Sequence, residues 1–156
     1  MEIRKASQND IDSLLNLNCQ IGEFHYQNAP TVFAKPSSEE REFLLKAISD
    51  PDRLFLVATL QNKVCGFITA TITKNEAVPF LRKEPICRIG TIVIDEQHRS
   101  TGLGKALMNK CYDWAVSSGA SQIRLEVMEF NSNAQDFYAG LGFKTQSRIM
   151  CQAISS

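Results

Sequence analysis

The feature that most constrains the fold is a run rich in β-branched residues, Ile86–Ile94, followed at once by a polar turn and a helix. The turn contains Arg99, and Gly102 and Gly104 lie where the helix begins. The first N–H groups of a helix have no internal acceptor and carry the positive end of the helix dipole. Glycines let the backbone approach a phosphate without an intervening Cβ. The segment therefore predicts an anion site, with pyrophosphate as the natural ligand.

Two common phosphate-binding loops do not match this segment. A P-loop requires G-x-x-x-x-G-K-[ST], but Ala106 follows Lys105 where the loop needs a hydroxyl. A dinucleotide-binding turn requires a third glycine, and Leu107 stands at that position. The anion site therefore belongs to neither of these nucleotide-binding classes.

The charge balance explains why an anionic ligand needs a local site. The chain has 156 residues, with 17 Lys and Arg against 17 Asp and Glu. Zero formal net charge gives no global attraction to nucleic acid or to an anionic membrane, so neither is expected as a partner. The length predicts one domain, residues 1–156. No apolar run is long enough for a signal peptide or a membrane span, which predicts a cytoplasmic protein.

The cysteines predict neither a metal site nor redox chemistry. They are five in number, widely spaced, and none forms a C-x-x-C pair. We expect them to be small buried residues in a reducing compartment.

Hydrophobic periodicity predicts the element order β-α-α-β-β-β-α-β-α-β. The predicted strands are 2–6, 54–60, 64–73, 86–94, 123–130 and 143–153, and the predicted helices are about 11–24, 37–48, 102–118 and 131–141. A hairpin half followed by a β-α-β-α-β half predicts an α/β fold with a mixed, mainly antiparallel central sheet flanked by helices.

A second motif follows the anion-binding turn. From Asn131 to Phe143 the chain reads Asn-x-x-Ala-x-x-Phe-Tyr-x-x-x-Gly-Phe, and the turn itself reads Arg-x-x-Gly-x-Gly. The pair, in this order, resembles the signatures of the GNAT superfamily of N-acetyltransferases. The resemblance covers residues 86–143 closely. It implies the GNAT fold, acetyl-CoA as donor, and transfer of the acetyl group to a primary amine of a small molecule, peptide or protein within a ternary complex.

The resemblance also implies cofactor-binding positions. The strand backbone at Ile92, Val93 and Ile94 resembles the edge that pairs with the pantetheine arm, an amide chain that can mimic a strand. The positions of the pyrophosphate cradle are Arg99, Ser100, Thr101, Gly102, Leu103, Gly104 and Lys105. Ser100 departs from the glycine often found after the arginine. Asn131 resembles an asparagine that hydrogen-bonds the cofactor, with an ordinary helix N-cap as the alternative.

The same resemblance implies catalytic roles. Tyr138 matches the tyrosine near the thioester sulfur, and a phenol can donate a proton to the departing thiolate. Its alternative is a packed aromatic residue beside Phe137. Glu126 matches a glutamate assigned as base in some relatives that act on N-terminal amines, while Glu129 or a bound water could serve instead. A backbone N–H of the strand 92–94 is expected to polarise the carbonyl.

The acceptor site is the least defined part of the prediction. The helix-loop-helix near the N-terminus shapes acceptor specificity in this superfamily, so its aromatic residues and the loop 28–37 are candidates to line the pocket. These residues are Phe24, His25, Tyr26 and Phe33. Members of the superfamily often form dimers, so a homodimer is an expected assembly.

Two other hypotheses compete with an acetyltransferase. A non-catalytic module could keep the cradle to bind or sense CoA and act through a partner. A purely structural α/β domain would use the glycine-rich turn only as a helix start. Substitution of Arg99 distinguishes the structural domain from both others, and substitution of Tyr138 distinguishes the enzyme from the sensor.

Overall fold

A five-stranded sheet forms the centre of the computed structural model, which describes residues 1–155. The strands β1 (Glu2–Lys5), β2 (Arg53–Leu60), β3 (Lys63–Thr73) and β4 (Ile86–Ile94) are antiparallel neighbours in that order. Strand β5 (Gln122–Arg124) pairs with β4 in parallel. The mixed, mainly antiparallel sheet predicted from the sequence is confirmed.

Helices and short turns connect these strands. The helices are α1 (Ile11–Asn28), α2 (Glu39–Ser49), α3 (Leu103–Ser117) and α4 (Ser132–Gly140), and single 3-10 turns lie at Gln8–Asp10 and Glu96–His98. The chain divides into two compact units. The first, Met1–Leu125, contains the sheet and α1 to α3, and the second begins at Glu126 and contains α4.

Alternation along the strands separates the core of the first unit into two faces. On one face, Val57, Phe67 and Val93 pack with Leu14 of α1 and Leu44 of α2. The other face is covered by α3, which contacts β2, β3 and β4. The strand β4 therefore runs between α1 on one face and α3 on the other.

The prediction that the cysteines are buried is confirmed for three of the five. Cys65, Cys87 and Cys111 are buried, but Cys19 and Cys151 are exposed. The sulfurs of Cys87 and Cys111 lie 3.9 Å apart where β4 meets α3. The hydrogen bond to Cys87, together with burial, raises the pKa of Cys111 and keeps its thiol protonated.

Two predicted strands differ from the structure. The strand predicted at 123–130 ends at Arg124, because residues after it form local hydrogen bonds instead of a ladder. The side-chain amide of Gln135 donates to the carbonyls of Met128 and Glu129, at 3.1 and 3.0 Å. The prediction of a strand at 143–153 is wrong: residues 144–155 are exposed and pair with no described strand, and a segment forms a strand only within a ladder.

Candidate acetyl-CoA and acceptor site

Strand β4 has one edge that is only partly occupied. It pairs with β3 along its whole length, from Ile86 to Ile94, but with β5 only over Ile86 to Arg88. Beyond Arg88, no strand in the unit Met1–Leu125 pairs with the second edge. The backbone groups on this edge are therefore available to an extended amide ligand.

Hydrogen bonds on the other edge show which residues face the open side. The N–H groups of Thr91 and Asp95 both point toward β3, where they donate to a threonine hydroxyl at 3.1 Å and to a backbone carbonyl at 2.8 Å. Backbone direction alternates along a strand, so Val93 also faces β3, while Ile92 and Ile94 direct their N–H and C=O groups to the open edge. The three predicted residues therefore have different roles. Val93 contributes its buried side chain to the core, whereas the backbone groups of Ile92 and Ile94 face the open edge.

A bulge lies at the start of this open stretch. The register between β3 and β4 shifts between Thr69 and Ala70, and Gly90 is the residue of β4 left without a counterpart. A Cβ on Gly90 would lie 3.1 Å from Thr69 Oγ1. Bulges bend a strand and increase its twist, so this one changes the direction of β4 where β5 no longer accompanies it.

The turn after β4 is organised by Asp95, a residue for which the sequence predicted no role. Its buried carboxylate accepts from the N–H of Gln97 at 3.2 Å, from His98 Nδ1 at 3.3 Å and from Gln20 Nε2 at 3.4 Å. Burial opposes ionisation of this carboxyl, but its hydrogen bonds outweigh burial and lower the pKa of Asp95. The short helical turn Glu96–His98 is thus capped by a charged group.

Two residues of the predicted cradle have the left-handed conformation. Ser100 has φ of 60° and Gly102 has φ of 87°. Ser100, which stands where a glycine was expected, therefore adopts a left-handed conformation that glycine adopts without strain. Between them, Thr101 Oγ1 donates to the carbonyl of His98 at 2.5 Å, which closes the turn.

The first backbone N–H groups of α3 have no acceptor within the helix. The first helical bond runs from the N–H of Ala106 to the carbonyl of Gly102 at 3.0 Å, so the N–H groups of the preceding three residues have no helical acceptor. Among residues 1–155, no side chain caps this end of α3. A Cβ on Gly102 would meet nothing within 4 Å, so the space next to the turn is open. Exposed Arg99 and Lys105 add positive charge, and the arrangement fits a pyrophosphate.

In the second unit, Asn131 is the N-cap of α4. Its Oδ1 accepts from the N–H of Ala134 at 3.3 Å. The structure thus shows the capping role that stood as the alternative for this residue. Capping uses only the side-chain oxygen, so a cofactor-binding role for the Nδ2 group stays a prediction.

Tyr138 lies on α4 between two aromatic rings. Its ring centroid is 5.5 Å from that of Phe137 and 5.8 Å from that of Phe143. Burial raises the pKa of Tyr138, because the charged phenolate is disfavoured away from water. The C-terminal end of the helix is fixed by Gly142, which has φ of 94°, and by a bond from the N–H of Phe143 to the carbonyl of Tyr138 at 3.0 Å. The phenol is therefore held in its proton-donating form.

The two candidate bases lie outside regular structure. Glu126 follows β5 by two residues and Glu129 lies in the turn before α4, and both are exposed. Because β5 ends at Arg124, strand alternation does not determine the direction of the Glu126 side chain.

The C-terminal part of α1 carries the aromatic residues predicted for the acceptor side. The ring centroids of His25 and Phe33 are 4.7 Å apart in an edge-to-face arrangement, and Phe24 contacts His25 at 5.7 Å. His25 Nδ1 lies 2.8 Å from the carbonyl of Ile21, which can only accept, so Nδ1 carries a proton. The structure therefore brings the loop 28–37 against α1 through Phe33.

Comparison with known proteins decides the family. The family model for the Acetyltransferase (GNAT) family matches residues 21–143, which is more than half of the chain. The chain belongs to the GNAT family of acetyltransferases. The matched region includes β4, the cradle and α4, so the GNAT resemblance of the two motifs is confirmed at the level of the family.

Individual relatives are distant but extend over most of the chain. This GNAT chain is 25% identical over 147 residues to an uncharacterised N-acetyltransferase of Methanocaldococcus jannaschii, an alignment that covers 94% of this chain and 62% of the relative. It therefore spans less than two thirds of that relative. An N-alpha-acetyltransferase of Sulfurisphaera tokodaii is 27% identical over 147 residues, with 91% and 79% covered.

A solved structure has the same fold. A mutant BH1408 protein from Bacillus halodurans superimposes with a TM-score of 0.93, at 21% identity, over 99% of this chain and 100% of that one. Within residues 1–155, no group of three or more His, Cys, Asp or Glu side chains could hold a metal ion. None of the helices in that range combines the length and hydropathy that a bilayer span requires.

Three residues that stabilise the candidate site were missed by the sequence analysis. Asp95 and Gln20 fix the turn before the cradle, and Gln135 fixes the turn before α4. Asp95 precedes a short polar segment and has N-cap character, a signal that was available. Gln20 and Gln135 act through long-range or irregular contacts that have no local pattern.

Proposed function

We propose that this chain transfers the acetyl group of acetyl-CoA to a primary amine by direct attack within a ternary complex. The observation that carries the proposal is the open edge of β4 next to the uncapped start of α3. An extended amide arm fits the edge at Ile92 and Ile94, and a pyrophosphate fits the free amides that follow Gly102. One ligand with both parts is acetyl-CoA, the acetyl donor that the family implies.

The chemistry needs an unprotonated amine, a polarised carbonyl and a proton for the leaving sulfur. The amine nitrogen forms a bond to the carbonyl carbon, and the C–S bond then breaks. A backbone N–H on the open edge of β4 stabilises the negative charge on the carbonyl oxygen. Tyr138 gives its phenolic proton to the thiolate, and its raised pKa keeps that proton in place until transfer.

The amine loses one proton during the reaction. Glu126, Glu129 or a water takes it, and both glutamates are exposed and open to exchange with solvent. The need for a base depends on the acceptor: a lysine amine has a pKa of about 10.4 and an α-amine about 7.8. At neutral pH an α-amine is therefore unprotonated several hundred times more often than a lysine amine.

A peptide N-terminal amine is the first acceptor to test. One relative is named an N-alpha-acetyltransferase, and an α-amine requires the least help from a base. The aromatic cluster of His25 and Phe33 supplies apolar surface on which the first side chain of such a peptide can pack.

Calorimetry and thermal unfolding with acetyl-CoA test the proposal. A ligand of the native state at a hundred times its Kd adds about 2.7 kcal/mol, which raises the melting temperature by roughly 5–10 °C. Arg99→Ala should lose most of this rise. Arg41→Ala is the matched control, because it removes an exposed arginine whose partner is Asp12 on α1.

Thiol release with a panel of amines then separates catalysis from sensing. Acetyl-CoA-dependent release with at least one amine supports the enzyme. Binding without transfer to any amine favours a CoA-sensing module, and the absence of binding at millimolar acetyl-CoA overturns both.

A further inference from the structure

A single side chain of α1 reaches the turn that leads into the cradle. Gln20 Oε1 accepts from the N–H of Glu96 at 3.1 Å, and Gln20 Nε2 lies 3.4 Å from Asp95 Oδ1. Gln20 lies far from both residues in sequence, so these contacts tie α1 to the C-terminal end of β4.

The orientation of the Gln20 amide is determined by its neighbours. Its Nε2 also donates to Asn16 Oδ1 at 3.0 Å, one helical turn earlier. Asp95 carries a carboxylate, which only accepts, and the backbone N–H of Glu96 only donates. The amide therefore satisfies its neighbours with the nitrogen toward Asp95 and Asn16 and the oxygen toward Glu96.

The turn held by Gln20 determines where the cradle begins. Asp95 caps Glu96–His98, and the carbonyl of His98 accepts from Thr101 Oγ1 at 2.5 Å. Ser100 and Gly102, the two residues of the cradle with a left-handed backbone, flank Thr101. A shift at Glu96 would therefore move the first free amides of α3 relative to the open edge of β4.

We infer that Gln20 is a positioning residue for the pyrophosphate end of acetyl-CoA, held on the same helix as the acceptor-side residue His25. The inference rests on the proposed function, because it assigns the pyrophosphate to the cradle. Gln20 acts through the backbone of the turn and does not contact the reacting atoms.

Gln20→Met tests the inference, because it keeps the length and helix propensity of the side chain and removes its two hydrogen bonds to the turn, together with the one to Asn16. Gln8→Met is the matched control at an exposed position before α1. In Gln20→Met we expect the KM for acetyl-CoA to rise about five-fold with kcat unchanged, as for the loss of one to two hydrogen bonds. With acetyl-pantetheine, which has no pyrophosphate, KM should not change. A general loss of stability would affect both donors alike.

Hydrogen exchange of the ligand-free protein gives an independent measurement. Amides of residues 96–105 should exchange faster in Gln20→Met than in the wild type or Gln8→Met. Unchanged exchange there, or an equal rise in KM for both donors, overturns the inference. If the wild type fails to bind acetyl-CoA, the proposed function is wrong. The hydrogen-exchange rates of residues 96–105 still show whether Gln20 stabilises the turn.

Discussion

Thr69 Oγ1 accepts a hydrogen bond from the backbone N–H of Thr91 at 3.1 Å, at the bulge between β3 and β4. The hydroxyl substitutes for a ladder carbonyl where the extra residue, Gly90, interrupts the register. Thr69 itself is buried. A side chain on β3 thus stabilises the bend at the start of the open edge of β4.

Thr69→Val should leave the N–H of Thr91 without its acceptor in nearly the same volume. We expect a loss of about 1–2 kcal/mol in the free energy of unfolding, measured by denaturant titration, and weaker binding of acetyl-CoA. Thr69→Ser keeps the hydroxyl and should retain acetyl-CoA affinity. Equal acetyl-CoA affinity in the Val and Ser variants would contradict a role for this bond in shaping the edge.

Tyr138→Phe should lower kcat about 100-fold without a comparable change in KM for acetyl-CoA, because it removes a proton donor and keeps the ring. Burial raises the pKa of Tyr138 above its ordinary value of about 10, so the defect should be present throughout about pH 6 to 9. Tyr112→Phe, on the exposed face of α3, is the control. Unchanged turnover of Tyr138→Phe across this range would show that the acid lies elsewhere.

Ser100→Gly should stabilise the turn slightly, because a left-handed backbone costs a residue with a Cβ about 1–2 kcal/mol and glycine nothing. The greater flexibility of unfolded glycine offsets part of this gain, so we expect a net gain of about 0.5 kcal/mol by thermal unfolding. Gly102→Ala should lower the melting temperature and weaken acetyl-CoA binding, because alanine is strained at a φ of 87°, although its Cβ would meet no atom within 4 Å. A destabilised Ser100→Gly would mean that the serine side chain stabilises the turn.

Asp10→Asn should make stability less sensitive to acid. The Asp10 carboxylate accepts from both terminal nitrogens of Arg4, at 2.8 and 2.9 Å, and these bonds lower its pKa although burial opposes them. A carboxyl whose pKa is depressed in the folded state stabilises it above the unfolded pKa of about 3.9, and this contribution is lost as the pH falls further.

The wild type should therefore exceed Asp10→Asn by about 1.5–3 kcal/mol at pH 7, and the difference should shrink below about pH 4. Denaturant unfolding at several pH values measures it. The asparagine oxygen, in the place of Oδ2, can still accept from the N–H of Ser7 and from Arg4 Nη1, so the variant removes the negative charge and the bond from Arg4 Nη2. A difference that is constant down to pH 2 would contradict the assignment.

Sequence patterns predicted β2, β3 and β4 because each has its own β-branched signal and pairs with a neighbouring strand in the chain, and they predicted β1 although its partner β2 follows only after α1 and α2. The anion-binding turn was predictable for a related reason: glycine spacing and a helix start are local features, and Gly102 does adopt the left-handed conformation. The sequence indicated only that Ile92, Val93 and Ile94 together resemble the edge that pairs with the pantetheine arm. Only the register with β3 shows which of them face the open edge.

The remaining misses arise from contacts without a local pattern. Residues 125–130 include Val127 and Phe130, which favour strands, yet the side chain of Gln135 takes carbonyls that a ladder would use. The bridge from Gln20 joins residues on different elements, and no spacing within either element indicates it. Long-range hydrogen bonds of this kind become visible only in the fold.

The interrupted pairing of β4 has a consequence for handling the protein. Unpaired backbone groups on a strand edge are a template for association with other chains. In the proposed complex, the pantetheine arm would occupy that edge and act as a temporary sixth strand. Acetyl-CoA should therefore protect against aggregation during storage as well as raise the melting temperature, and the ligand-free protein should be the more prone to self-association.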